Sequence, residues 1–311
     1  VKQNWLTEFE NNFKGSLDYE FSCPLKRLTT LQIGGNADVY ALPASIEGLR
    51  KLLQFVKSNA VPAFLIGRGS NLLFCDEGVR GIVYSLRHSS FSQISLEPGN
   101  LIRVGAGASL CALTRFTENN GLSGFEFLSG IPGSVGGALS MNAGAYGYSI
   151  ADRLVTVDVL TDENKVKSIS AKDIEHSYRS CPFFEKNIAL TAVFQGSNGD
   201  RMEISKRIKE LHQKRSNSQP KFPSAGCTFK NPNGNSAGRL IDEAGLKGYA
   251  VGGAEISKIH ANFFVNRGNA QASDILKLIE IAKSKVFDNT GITLEPEIIV
   301  VDEFGRLFPK D

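Results

Sequence analysis

Two stretches of this 311-residue chain combine residue types and spacings suited to chemistry, and both are glycine loops. The first, Gly67-Arg68-Gly69-Ser70-Asn71, follows a short apolar run. Successive backbone N–H groups in such a loop can converge on a phosphate, and Ser70 and Asn71 add side-chain donors. It is not a Walker loop, because no Gly-Lys-Ser/Thr follows, and Leu72 stands where GxGxxG would place its third glycine. By itself it reads better as an ordinary turn. The second, Ser129-Gly130-Ile131-Pro132-Gly133-Ser134-Val135-Gly136-Gly137-Ala138 and then Met141-Asn142-Ala143-Gly144-Ala145-Tyr146-Gly147, is more specific. Its interleaved glycines and small residues would let a backbone lie flat against a bulky ligand with N–H groups aimed at its oxygens. A purely structural explanation needs many tight turns in a short span.

The elements that must position these loops alternate. Ser45–Ala60 reads as an amphipathic helix, capped by Ser45, with Ile46, Leu49, Leu52, Leu53 and Val56 on one face. Strands are expected at Ala63–Ile66, leading into the first loop, and at Ile82–Leu86. Leu101–Val104 should be a strand ending in Gly105-Ala106-Gly107, with a helix from Ser109 to about Asn119. Arg153–Thr161 and Lys165–Ser170 read as a hairpin turning at Asp162-Glu163-Asn164, and Asn187–Gln195 as a further strand. Asp200–Asn217 is expected to be helical, with Ile204, Ile208 and Leu211 inward and a basic face that is most simply solvated. After a stiff Ser218–Pro223 connection come a strand near Asn262–Asn266, a long helix beyond Ser273 and a β-rich Thr293–Val301. This order is that of an α/β or α+β protein with a boundary near 196–200.

Composition narrows the function. Glycine is in excess, 31 residues against an average near 7%, and 15 of them lie between Gly67 and Gly147. A net charge of +3 is too mild for a nucleic-acid protein. Five scattered cysteines without a CxxC pair suggest reduced thiols and a reducing compartment. Four isolated histidines argue against a histidine-rich metal centre, so no metal is expected. No signal-peptide pattern or membrane-length apolar run is visible, so a cytoplasmic protein is expected, with no membrane partner.

In order and spacing, Gly67–Leu72, Gly105-Ala106-Gly107, Ser123-Gly124-Phe125-Glu126 and Gly130–Gly147 resemble the UDP-N-acetylenolpyruvoylglucosamine reductase family. Thr29-Thr30-Leu31-Gln32-Ile33-Gly34-Gly35 looks like its opening signature and Leu294-Glu295-Pro296-Glu297-Ile298 like its closing one. The resemblance runs from about residue 25 to 303. It implies an α+β fold: an N-terminal segment (1–28), an FAD-binding domain of the vanillyl-alcohol-oxidase (PCMH) type (29–196, in lobes of about 29–87 and 88–196), and a C-terminal α+β substrate-binding domain (197–311).

The resemblance also implies the chemistry. NADPH as co-substrate reduces non-covalently bound FAD, and hydride passes from flavin N5 to UDP-N-acetylglucosamine enolpyruvate, giving UDP-N-acetylmuramate for peptidoglycan. Charge developing beside the carboxylate must be stabilised and then protonated. Three residues match the family's catalytic positions: Arg179, a planar permanent cation for the carboxylate; Glu297, which must be protonated to donate to it; and Cys227, the proton donor where the family often has serine. An unperturbed thiol is mostly protonated at neutral pH and more acidic than an alcohol. Without the resemblance these three read as a salt-bridge arginine, a strand-edge acid and a small buried residue.

Cofactor contacts are expected from Gly67, Arg68, Gly69, Ser70 and Asn71. Others should come from Gly130, Ile131, Pro132, Gly133, Ser134, Gly136, Gly137, Asn142, Ala143 and Gly144. Substrate contacts are expected from Tyr178, Lys230, Asn231, His260 and Asn262. The chain looks like the variant lacking an extra Tyr-bearing loop. The sequence does not fix the oligomeric state, though a monomer is the simplest expectation. Two alternatives stay open: another FAD oxidoreductase of the same fold, or a non-catalytic nucleotide-sugar or flavin-binding module.

Overall fold

The computed structural model describes residues 4–308; Val1–Gln3 at the start of the expected N-terminal segment, and the last three residues, lie outside them. The first lobe is a four-stranded sheet. Asp18–Pro24 runs antiparallel to Asn36–Leu42, which pairs in parallel with Val79–Tyr84, which in turn pairs in parallel with Ala63–Leu65. The helix Ile46–Ser58 connects its parallel strands. Ser45 Oγ accepts from Gly48 N at 3.0 Å to start that helix, and Leu49, Leu52 and Phe55 are buried. Each such side chain contributes about 1.5–3 kcal/mol of burial. The second lobe is a five-stranded antiparallel sheet in the order Val166–Ser170, Leu154–Thr161, Asn187–Gln195, Leu101–Gly105 and Ile94–Glu97. One apolar core, from Phe9 through Leu49 and Val104 to Phe194, joins the two lobes.

The C-terminal region has its own antiparallel sheet, ordered Ser224–Cys227, Phe263–Asn266, Ala254–Ile256 and Ala250–Val251. The helix Ala272–Thr290 lies against it, opened by a Gln271/Asp274 capping box and closed by Gly291 at φ +72°. Its buried Ile275, Leu278, Ile279, Ala282 and Val286 share a core with Leu31, Ile33 and Leu73 of the first lobe. The chain then returns: Ile299–Val301 pairs in parallel with Leu72–Phe74, directly after the first glycine loop. The closing segment and that loop are therefore fixed to each other.

Several elements differ from the sequence reading. The strand expected at Ile82–Leu86 occupies Val79–Tyr84, because its partners Asn36–Leu42 and Ala63–Leu65 end in register with Tyr84. Only Ile299–Val301 of the expected Thr293–Val301 is a strand; the rest is drawn alongside 228–230. The second glycine run does not lie flat. Ser134 caps a six-residue helix, Val135–Ser140, and Gly136 is there because a Cβ would sit 3.2 Å from Ala106 Cβ and O. The helix Arg201–Ser218, capped by Asp200, buries only Ile204 and Leu211 along its length among its apolar residues. Among the described residues no helix is long and apolar enough to cross a membrane.

Candidate active site

The two glycine loops face each other. A Cβ on Gly67 would lie 2.7 Å from Ser134 Oγ, and one on Gly133 4.0 Å from Ser70 Oγ. Two contacts turn the carbonyls of the first loop inward. Arg87 donates to Gly67 O from Nε at 3.0 Å and Nη2 at 2.8 Å, and Thr30 N donates to Gly69 O at 3.1 Å. Gly69 sits at φ +62° with Leu28 O 2.2 Å from any added Cβ, so only glycine fits. Among the described residues, no backbone N–H from Gly67 to Asn71 donates to another protein group, nor do those of Gly133 and Ser134. A run of unpaired donors on one side of a loop, with its carbonyls held on the other, suits a diphosphate. The residues present therefore fit an FAD pyrophosphate.

Not every glycine serves such a surface. Gly136 N donates to Ala106 O at 2.8 Å, Gly137 N to Ser134 Oγ at 3.3 Å, and Gly144 is required by Tyr148 O, 2.2 Å from its would-be Cβ. Ala143 N and O are both used within the protein, by Ala138 and Ile150. Arg68, Gly130 and Pro132 are exposed along the opening, and Ile131 packs partly on the main core. The side chain of Asn142 is turned away from any open face, bonded to the Ser177 carbonyl at 2.9 Å.

The three catalytic candidates come from three separated segments. Arg179 lies in a tight Ser177–Ser180 turn at φ +57°, an unusual conformation for a non-glycine residue. Its Nε is 2.7 Å from Glu297 Oε1, in an ion pair whose side chains are only 22% and 12% exposed. At that distance the guanidinium is the partner that holds the Glu297 carboxylate charged against its burial. Glu297 is fixed through its backbone: its N–H donates to Thr228 O at 2.8 Å, and Phe229 and Pro296 form a β-bridge. Burial raises its pKa, opposed by Arg179 and then Lys230.

Cys227 ends the strand Ser224–Cys227 at a register shift where Gly226 adopts φ +79°, a bulge that re-aims the following side chain. Burial, with a smaller contribution from Glu297, pushes its thiol up to about 11 against the pull of Arg179 and Arg215. The thiol is thus held firmly protonated, a weaker acid than the unperturbed group expected from sequence.

The substrate candidates fare unevenly. Lys230 is ion-paired to Glu295 beside the Cys227 strand, and Tyr178 is 55% exposed with the Arg179 guanidinium 5.3 Å over its ring. Asn231 Oδ1 accepts from Ala237 N at 3.0 Å, holding the start of the helix Ala237–Glu243. His260 Nδ1 accepts from Asn262 N at 3.2 Å within its own turn, and burial lowers its pKa. Asn262 is 2% exposed and bonds both Phe229 N (2.9 Å) and Phe229 O (2.8 Å), so it clamps the chain beyond Cys227. Sequence reasoning missed Arg215. It lies on the helix face taken as solvated, yet it packs beside Gly130 and over the Tyr146 ring at 5.5 Å, its buried Nε–H unpartnered. Only its place at the end of an otherwise polar helix, just before the stiff connection, could have marked it.

These features define a two-part flavoprotein in which loops of an N-terminal FAD-binding domain meet residues of a smaller C-terminal one. A family profile described as "FAD binding domain" matches residues 37–170, and one described as "UDP-N-acetylenolpyruvoylglucosamine reductase, C-terminal domain" matches 219–301. A UDP-N-acetylenolpyruvoylglucosamine reductase from Caldanaerobacter subterraneus is 44% identical over 90% of this chain and 92% of its own. One from Geotalea uraniireducens is 43% identical over 91% and 94%. Among solved structures, the UDP-N-acetylenolpyruvylglucosamine reductase of Thermus caldophilus aligns with a TM-score of 0.76 at 37% identity, covering 91% of this chain and 98% of that one. The chain belongs to the UDP-N-acetylenolpyruvoylglucosamine reductase family.

Proposed function

We propose that this protein uses FAD and NADPH to reduce UDP-N-acetylglucosamine enolpyruvate to UDP-N-acetylmuramate, with Arg179, Glu297 and Cys227 acting on the enolpyruvyl group. The observation that carries the assignment of roles is the half-buried Arg179–Glu297 pair beside a protonated Cys227, assembled from segments 118 residues apart in sequence at their extremes (179 to 297). Bound FAD, once reduced by NADPH, supplies the hydride. The protein's own part is polar. Arg179 offers its planar guanidinium fork to the substrate carboxylate. Glu297, freed from Arg179 and already biased toward its neutral form by burial, takes a proton and donates it in a hydrogen bond to the same carboxylate. Charge delocalising into that carboxylate is thereby stabilised, and Cys227 delivers a proton to the carbon that bears it.

Residues 29–196 supply the cofactor loops and 197–311 supply Cys227 and Glu297, a division of labour supported by the two matched regions. The free backbone N–H groups of Gly67–Ser70, Gly133 and Ser134 hold the cofactor, and Lys230 and Tyr178 contact the substrate. Five unpaired cysteines agree with a reducing, cytoplasmic setting, and the small substrate requires no partner chain, in line with a monomer. The test is spectroscopic. The purified protein should show an oxidised-flavin spectrum that bleaches anaerobically with NADPH and recovers on adding the enolpyruvyl sugar. Cys227→Ala should bleach normally and recover at least about a hundredfold more slowly, whereas Cys227→Ser should recover substantially. Full recovery in Cys227→Ala would remove the proton-donor assignment.

A further inference from the structure

Each glycine loop carries one asparagine, and the two side chains converge on the backbone of opposite halves of the ion pair. Asn71, from the first loop, donates from Nδ2 to Glu297 O at 2.8 Å, and its own carbonyl accepts from Ile299 N at 3.0 Å. Asn142, from the second loop, donates from Nδ2 to Ser177 O at 2.9 Å and lies 3.4 Å from His176 Nδ1, while its Oδ1 accepts from Ala151 N at 3.4 Å. Ser177 O is the carbonyl that closes the Arg179 turn, where Ser180 N reaches it only at 3.3 Å. The Asn142 contact is the shorter of the two. The loops also meet through Asn71 Nδ2 and Met141 Sδ, 3.7 Å apart, next to Asn142.

We infer that Asn71 and Asn142 are positioning residues that tie the two halves of the carboxylate clamp, Glu297 and Arg179, to the two loops of the cofactor cradle. The physical need is specific. Arg179 comes from a strained turn at φ +57° with no sheet pairing to either loop, and Glu297 lies just before the strand that pairs with Leu72–Phe74, outside the pairing itself, so each needs a further tie to hold it against its loop. Asparagine suits both tasks. Its amide donates to a carbonyl without adding charge beside an ion pair. At position 142, where φ is +41°, it also tolerates the left-handed region that most side chains avoid. A side chain from each loop bonding one backbone carbonyl apiece fixes the clamp to the surface where hydride is delivered. An ångström of misplacement there costs about a hundredfold in rate.

This inference rests on Arg179 and Glu297 being the carboxylate clamp, and the test separates the two. Asn142→Gly keeps the positive φ available while removing the side chain, and Asn71→Ala removes the other tie. Measured on the FAD-loaded protein, both variants should retain flavin at the wild-type ratio and bleach with NADPH within about twofold of wild type. Recovery with the enolpyruvyl sugar should slow by about tenfold or more, and the sugar's Kd, read from the perturbed spectrum of the oxidised flavin, should rise. In double variants with Arg179→Lys, the Asn142→Gly loss should largely disappear, because Asn142 acts through Arg179.

Loss of flavin, or equal slowing of bleaching and recovery, would overturn the inference by making the asparagines cofactor ligands or general supports. So would wild-type recovery in both variants when Arg179→Lys and Glu297→Gln are slow. If those two clamp variants themselves recover at the wild-type rate, the clamp reading falls, and this inference falls with it. Should Asn142→Gly not fold, Asn71→Ala decides alone, since its contact lies on the other half of the pair.

Discussion

Binding of the enolpyruvyl sugar to the oxidised protein should take up about one proton, and Glu297 should be the group that receives it. Arg179 has Glu297 at 2.7 Å as its partner before substrate arrives. A substrate carboxylate entering beside Arg179 brings a second negative charge into a site that is mostly dry. Leaving a buried charge without its partner costs about 3–5 kcal/mol, equivalent to two to four pKa units at about 1.4 kcal/mol each. Protonating Glu297 avoids that cost. Burial already holds its pKa above the ordinary carboxylate value, and the forces opposing this are Arg179 and then Lys230. The substrate competes for the first of them, so the pKa climbs further in the complex. The sign follows: the complex holds a proton that the free protein has lost, so affinity is full below the free-state pKa of Glu297. It then falls about tenfold per pH unit above it, until the pKa of the complex is reached.

Other groups facing Glu297 do not imitate this behaviour. Guanidinium groups keep their charge in this range, burial pushes the Cys227 thiol up to about 11, and Lys230 is ion-paired with the exposed Glu295. The assay is titration calorimetry of substrate into NADPH-free protein between pH 7 and 9, in buffers of low and high ionisation enthalpy. The slope of apparent enthalpy against buffer enthalpy counts the protons. Glu297→Gln should abolish both the uptake and the pH slope of Kd while keeping binding, because the amide donates to the carboxylate without titrating. A buffer-independent enthalpy in the native protein, or an unchanged pH slope in Glu297→Gln, would refute the reasoning.

Gly69→Ala should lower the thermal midpoint and the retained flavin together, since the new methyl meets Leu28 O and the left-handed backbone strains any side chain; an unchanged flavin ratio would show that the loop is not the cradle. Replacing Arg87 by Leu should free the Gly67 carbonyl and weaken FAD affinity by about tenfold, the order expected for lost charge-assisted hydrogen bonds, as read by flavin fluorescence on dilution. At pH 8, iodoacetamide should label the exposed Cys111 well before Cys227, whose thiol is pushed up to about 11; mass spectrometry showing Cys227 labelled first would contradict a protonated proton donor. Ser134→Ala removes the cap of Val135–Ser140 and its contact with Gly137 N, and should cost about 1 kcal/mol in denaturant unfolding.

What the sequence made legible was local. The Ser45 cap and the helix starts at Ser109 and Asp200 were visible because a helix start is decided within a few residues, and the hairpin at Leu154–Ser170 because period-two alternation and its turn residues lie side by side. The glycine concentration pointed to a cradle, but the sequence could not separate glycines with a free N–H face, such as Gly67 and Gly133, from those required by a neighbouring carbonyl, such as Gly144. That distinction depends on what lies across a gap. The proposed catalytic trio became visible only through resemblance, since nothing in the spacing of Arg179, Cys227 and Glu297 predicts that they meet.

Long-range contacts decide the rest of the site as well. The strand Leu72–Phe74 is brief and unremarked in the sequence because its partner, Ile299–Val301, is more than two hundred residues away. That same pairing is what brings Glu297 beside Asn71. His260 and Asn262 looked like ligands because polar residues near a candidate pocket invite that reading, yet their hydrogen-bonding groups close turns and clamp Phe229. Arg215 looked solvated because charge on a helix usually is, yet it has a buried, unpartnered Nε–H. In each case the polar group's role is set by the partner it finds. The proposed exchange of Glu297 for a substrate carboxylate on Arg179 must therefore be read from partners too, beginning with the 2.7 Å ion pair that the substrate has to open.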